Sequence, residues 1–314
     1  MYKEWLFEFS RLIRLKNLAI LVVTQAFVRL FLINPVFFNY KIEHALAGWQ
    51  FALFVLATVC IAAAGYIIND YFDADIDRIN KPGKVVVGRY FSRREAFRMH
   101  LAFNVLGALL GVLAAWLAGN ITLGFIFIVS AGLLWFYAKT FKKVFLLGNL
   151  LVAAFTAFAI LTVVFFETGL FGNADLLVLA ANREVFELTL AYAAFAMITT
   201  TMRELVKDME DIEGDRAYGC KTVPVVLGVT ATKWFIAALC VALIGLLFFA
   251  QSRFFREELF LRCSYILIAL QLPAAALLFY LVPAAQKEDF ARLSKGVKNI
   301  MLLGIVSMAV FYYF

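Results

Sequence analysis

Residues 69–77 read NDYFDADID, and residues 207–215 read KDMEDIEGD. In the first stretch Asp70, Asp73 and Asp77 stand at i, i+3 and i+7. Asp208, Asp211 and Asp215 repeat that spacing 138 positions later (Asp70 to Asp208), and an arginine follows each last aspartate, Arg78 and Arg216. At about 100° per residue such a triad falls within an arc of about 60° on one helix face, as a stripe about 10 Å long. Like charges 4 Å apart repel by about 4 kcal/mol at an effective dielectric near 20, so each stripe calls for a positive occupant. Hard oxygen ligands in this number suit Mg²⁺, which keeps part of its water shell and binds through one or two carboxylates plus the oxygens of a substrate phosphate. A lone acidic run is most simply a solvated loop, whereas a duplicated triad of equal spacing, each following an apolar stretch, points to a site. A calcium loop starting at Asp73 is excluded, because Arg78 holds the place of its turn glycine and Lys84 that of its closing glutamate.

The 314 residues around these stretches are 64% hydrophobic and 16% charged, with a mean hydropathy of +0.87. Such a chain is a polytopic membrane protein. The net charge of +7 does not indicate a nucleic-acid partner, since Lys and Arg gather in short segments between apolar runs, as the positive-inside rule describes. Cys60, Cys220, Cys240 and Cys263 form no CxxC pair, so neither a disulfide framework nor a zinc site follows. The two histidines, His44 and His100, lie far in sequence from both triads, which argues against chemistry built on an imidazole base.

Residues 1–17 are expected to form an amphipathic helix lying in the membrane interface, too charged for a cleaved signal peptide. Apolar runs near 18–38, 49–68, 97–119, 121–138, 146–166, 186–202, 234–251, 261–283 and 297–314 predict about nine spans. The expected fold is an all-α, polytopic membrane bundle, one integral-membrane domain over residues 1–314. With the amino terminus inside, both triads fall on the inner side, each after the second helix of a set of four. This suggests two pseudo-repeated four-helix units plus one helix. Arg29 lies within the first span, where it snorkels or finds a partner inside the bundle.

Cations accompany the triads. Arg78, Lys81, Lys84 and Arg89 follow the first, Arg216 and Lys221 the second, and a third inner segment, YAKTFKK, offers Tyr137, Lys142 and Lys143. Acidic stripes, a metal and a basic clamp together are what a diphosphate needs. Held at the inner membrane surface above an apolar cavity, that diphosphate would belong to an amphiphile with a long tail. Metal binding would let its bond to an allylic carbon break with carbocation character, in a site that excludes water. A transporter using the same carboxylates for cation or proton coupling is the alternative from another class.

NDYFDADID followed by RINKP, and RELVKDMEDIEGDRAYGCKTVP, resemble the two aspartate-rich signatures of the UbiA family of intramembrane prenyltransferases. The resemblance implies Mg²⁺-dependent transfer of an isoprenyl chain from its diphosphate to an acceptor. It also implies metal and diphosphate roles for Asn69, Asp70, Asp73, Asp77, Asp208, Asp211 and Asp215, with Lys142 and Tyr137 near the diphosphate. Asp73 and Asp211, central in their triads, are the expected catalytic pair. The REL-KD-ED-EGD form is most similar to the digeranylgeranylglyceryl phosphate synthase group. That implies a geranylgeranyl or similar donor and a prenylated glycerol phosphate as lipid acceptor. The segment KPGKVVV departs from the RPxRP more usual in that group, and an aromatic quinone-ring precursor stays open as acceptor. The expected location is the cell membrane, with the active site facing the cytoplasm.

Overall fold

The computed structural model describes residues 2–172 and 175–314, which are helical nearly throughout. Helix α1 spans Tyr2–Leu12. Nine helices among the described residues are long and apolar enough to cross a membrane. They are α2 (Leu15–Tyr40), α3 (Gly48–Asn80), α4 (Arg93–Leu117), α5 (Ile121–Lys139), α6 (Leu147–Phe165), α7 (Leu176–Glu210), α9 (Val223–Arg256), α10 (Phe260–Leu281) and α11 (Lys287–Tyr313). A short helix α8, Ile212–Ala217, lies between α7 and α9. Large apolar side chains on these helices stay exposed, among them Leu109, Trp116, Phe125, Trp234, Phe248 and Phe279. In water such a surface would be costly; hydrocarbon solvates it.

The helices begin and end where local chemistry dictates. Ser92 starts α4 with a reciprocal cap: its hydroxyl accepts from the Glu95 amide at 3.2 Å, and Glu95 Oε2 accepts from the Ser92 amide at 2.8 Å. Pro82 stops α3, since proline disfavours a helical residue before it, and Lys81 leaves the helix at φ −144°. In α2 and α10 one turn widens to π geometry, Val28–Ile33 and Ile266–Gln271. Each widened turn leads into a proline, Pro35 and Pro273, whose missing N–H and bulky ring interrupt the regular ladder one turn back.

The chain divides into two compact units. The first comprises Met1–Lys142 and Leu161–Glu187. Here Leu12, Ile13 and Leu18 pack with Ala63, Ile67 and Ala74 of α3 and with Val86, Val87 and Phe91 of the loop that follows α3. In KPGKVVV, Val85, Val86 and Val87 are buried while Pro82, Gly83 and Lys84 are exposed. Gly111 lies under the Phe127 ring, where an added Cβ would stand 2.2 Å from a ring carbon.

The second unit comprises Lys143–Ile160 and Leu188–Phe314. Its core joins Met202, Leu205 and Met209 of α7 to Cys240 and Leu243 of α9, Leu270 of α10, and Leu293 and Val297 of α11. Gly304 lets α11 meet α7, because a Cβ there would lie 2.2 Å from the Phe195 ring. Helix α9 starts at Val223, eleven residues before the apolar run at 234, and carries a non-helical Gly228 at φ 84°. Only glycine holds that backbone without steric cost.

Candidate active site

The first carboxylate stripe stands on the last three turns of α3. Hydropathy ends the span near residue 68, yet the helix continues to Asn80, and Ala74, Ile76 and Asn80 are buried within this extension. Asp73 is engaged at both oxygens. Lys142 Nζ donates to Oδ1, and Asn69 Nδ2 donates to Oδ2 at 2.8 Å. The same ammonium lies 3.4 Å from Asn69 Oδ1, so Lys142, Asn69 and Asp73 form one closed cluster. The Lys142 side chain is only 12% exposed and that of Asp73 18%. One turn earlier, Asp70 Oδ1 accepts from Arg14 at 3.0 Å.

Arg14 occupies the left-handed region, φ 51° and ψ 53°. The single interfacial helix expected over 1–17 is therefore α1, ended at Leu12, followed by a turn that feeds α2. That turn aims Arg14 at the stripe, with its guanidinium over the Tyr66 ring at 4.9 Å. Helix α1 is fixed by Arg11, which donates to Glu8 at 2.8 Å and to the Lys84 carbonyl at 3.2 Å, and by Trp5 edge-on to Phe91.

The other residues expected at this site are placed as follows. Asp77 lies in the last turn of α3, where its carbonyl accepts from the Lys81 amide at 2.8 Å. Tyr137 is half-buried on α5, and Arg89 is exposed beside Tyr90. Asp75, off the stripe, pairs with Arg93 at 2.6 Å and Arg78 at 3.3 Å, which gives Arg93 a structural role.

In the second unit the stripe is broken. Asp208 lies in the last turn of α7; Asp211 leaves the helix at φ −105°, ψ 8°; Asp215 belongs to α8. The uniform helical face expected for this triad therefore holds only for the first one. Aspartate competes with helical backbone hydrogen bonding and favours helix starts, which suits a break at Asp211. Asp208 Oδ2 accepts from Asn149 Nδ2 at 2.7 Å, and Asp215 Oδ2 from the Thr222 hydroxyl at 3.3 Å. Glu204 pairs with Lys207 at 2.6 Å and Arg203 at 3.5 Å. Lys221 is exposed and donates its backbone N–H to the Lys143 carbonyl at 2.8 Å.

Arg14 and Asn149 are the residues that sequence reasoning missed. Arg14 passes for one more charge on a basic helix face. Asn149, a buried amide in an apolar run, is the kind of signal that marks a site even when its partner cannot be named.

Among the described residues, no three His, Cys, Asp or Glu side chains gather closely enough to hold a metal ion unaided. Within each unit the donors still fit a hard divalent cation: the carboxylates of Asp70 and Asp73 in the first unit, and those of Asp208 and Asp215 in the second. An ion with so few protein ligands must complete its shell from phosphate oxygens and water, as Mg²⁺ ordinarily does.

Residues 22–296 match the UbiA prenyltransferase family along most of the chain. The chain belongs to that family. As a UbiA protein it is a multi-pass membrane prenyltransferase, and this sets aside the transporter reading. It is 30% identical over 254 residues to a digeranylgeranylglyceryl phosphate synthase of Ignicoccus hospitalis, covering 81% of this chain and 78% of the relative. A synthase of the same name from Korarchaeum cryptofilum is 29% identical over 250 residues, covering 79% and 80%. The UbiA fold is equally plain in solved structures. A digeranylgeranylglyceryl phosphate synthase structure superposes with a TM-score of 0.64 at 24% identity, covering 98% of each chain. A UbiA homolog from Archaeoglobus fulgidus, solved bound to DMAPP and Mg²⁺, gives 0.57 at 16% identity, covering 96% of this chain and 99% of that one.

Proposed function

We propose that this enzyme transfers a geranylgeranyl or similar chain from its diphosphate to the free hydroxyl of a prenylated glycerol phosphate, with Mg²⁺ as cofactor. In this reading both aspartate stripes serve one reaction at the cytoplasmic face of the cell membrane. The observation that carries it is the closed cluster of Lys142, Asn69 and Asp73 at the end of an apolar helix: a half-buried carboxylate, an amide and an ammonium suited to a metal-bound diphosphate. The relatives named above support the choice of acceptor.

Asp70, Asp73, Asp77, Asp208, Asp211 and Asp215 would hold the metal, with Asp73 and Asp211 central. When bound, Mg²⁺ supplies neutralisation of charge on the departing diphosphate. Asn69, Lys81, Arg89, Tyr137, Lys142 and Lys221 bind and orient the diphosphate, to which Arg14 adds a guanidinium. The bond from the allylic carbon to the diphosphate breaks with its electron pair leaving on oxygen. The acceptor oxygen bonds that carbon and releases its proton to a phosphate or carboxylate oxygen. The apolar helices exclude water that would otherwise capture the cation.

Purified protein given labelled geranylgeranyl diphosphate and geranylgeranylglyceryl phosphate is expected to form the dialkylated product only with Mg²⁺. Product from an aromatic quinone precursor instead would move the acceptor assignment to that class. Transfer to neither acceptor would refute the proposal.

A further inference from the structure

Asp70 and Asp73 each have a cation in contact, and the two cations come from widely separated parts of the first unit's sequence. Arg14 reaches Asp70 from the turn before α2, and Lys142 reaches Asp73 from the segment after α5. The quartet carries no net charge. Both carboxylates are largely withdrawn from solvent, at 18% side-chain exposure each, so leaving them bare would be costly. With Asn69 on its second oxygen, Asp73 has a donor on each oxygen, and a metal ion that binds it meets the Lys142 ammonium already there.

Resting on the proposal above, we infer that Lys142 and Arg14 are exchangeable counter-ions. They neutralise Asp73 and Asp70 until metal and diphosphate are both present, and then pass from carboxylate to diphosphate oxygens. A dication alone would enter beside an ammonium and a guanidinium; a diphosphate alone would meet two carboxylates. Together the charges nearly balance, so each ligand strengthens the other by the same factor, as linkage requires. The side chains suit the movement. Lys142 has a flexible stem and three donors, and the face of Tyr66, 4.9 Å from the Arg14 guanidinium, retains that group beside the stripe once Asp70 lets it go. The two residues are thus positioning groups that suppress metal binding in the absence of diphosphate.

The test needs no turnover. Mn²⁺ binding to the full chain in nanodiscs, read by electron paramagnetic resonance without diphosphate, should tighten roughly tenfold or more in Lys142→Gln and in Arg14→Gln, because the carboxylate loses its internal partner. Lys142→Arg, which keeps the charge, should behave as the parent. Retention of labelled inorganic diphosphate at saturating Mn²⁺ should move the other way and weaken in both glutamine variants. Asp73→Asn should lower Mn²⁺ affinity and erase the gain from Lys142→Gln. If Asp73→Asn weakens Mn²⁺ binding while neither glutamine variant tightens it, the metal site stands and counter-ion exchange is overturned. If Asp73→Asn changes nothing in any background, the metal assignment fails and takes the exchange with it.

Discussion

Arg14 donates to Asp70 Oδ1 at 3.0 Å across 56 positions of sequence. A residue of the turn after the amino-terminal helix thereby touches the carboxylate stripe of α3. Arg14→Ala removes a guanidinium from the proposed diphosphate site and the contact that links the turn after α1 to α3. The KM for prenyl diphosphate should rise about tenfold, the scale of a lost charge-assisted hydrogen bond, with a smaller change in kcat. Initial rates over a range of diphosphate concentrations measure the split.

Asn149 serves Asp208 as Asn69 serves Asp73, through a side-chain amide at 2.7 Å. Asn149→Asp would set two carboxylates against each other in a buried place and should reduce kcat more than Asn149→Ala does. Excess Mg²⁺ should recover part of the loss in the aspartate variant only. Rates at stepped Mg²⁺ concentrations separate the two.

Glu167, only 3% exposed, accepts from the Ala45 amide at 2.9 Å and contacts His44 Nδ1 at 2.8 Å. Glu167→Ala takes the acceptor from the half-buried Ala45 amide and should lower stability by about 1 kcal/mol, with the KM for diphosphate unchanged. Thermal unfolding in detergent, followed beside the kinetics, checks both parts.

Gly304 and Gly111 carry helix contacts too close for a side chain. Gly304→Ala would press a methyl group into the Phe195 ring and should cost about 1–3 kcal/mol through overpacking. Gly132→Ala, where a Cβ meets nothing within 4 Å, should be neutral or slightly stabilising. The difference in melting temperature between these variants is the readout.

Much of this was legible in the sequence. Hydropathy located all nine spans because each must supply enough apolar length to cross the hydrocarbon. It misplaced several ends for a physical reason: α3 carries its three aspartates, and α7 carries Asp208, on helical turns beyond the apolar run, and hydropathy averages away polar residues that lie on one face only. The 3-4-spaced triads pointed to Asp73 and its neighbours, and the cation-rich segment YAKTFKK to Lys142, since those signals are local; the structure brings these two residues into contact. The break at Asp211 was hidden, because equal spacing in two stretches does not guarantee equal backbone. Arg14 with Asp70 and Asn149 with Asp208 were hidden as pairs, since each joins residues more than fifty positions apart and nothing local names the partner.

The central claim is that two aspartate stripes from distant parts of the chain serve a single transfer, and non-additivity tests it most directly. Product formation from labelled geranylgeranyl diphosphate should be measured for Asp73→Asn, Asp211→Asn and the double variant at saturating Mg²⁺. Groups that act as a unit are lost together. Each single change should therefore reduce turnover to near background, and the double variant should be no worse than the more severe single one. Substantial turnover in either single variant, or losses that multiply in the double, would contradict that claim.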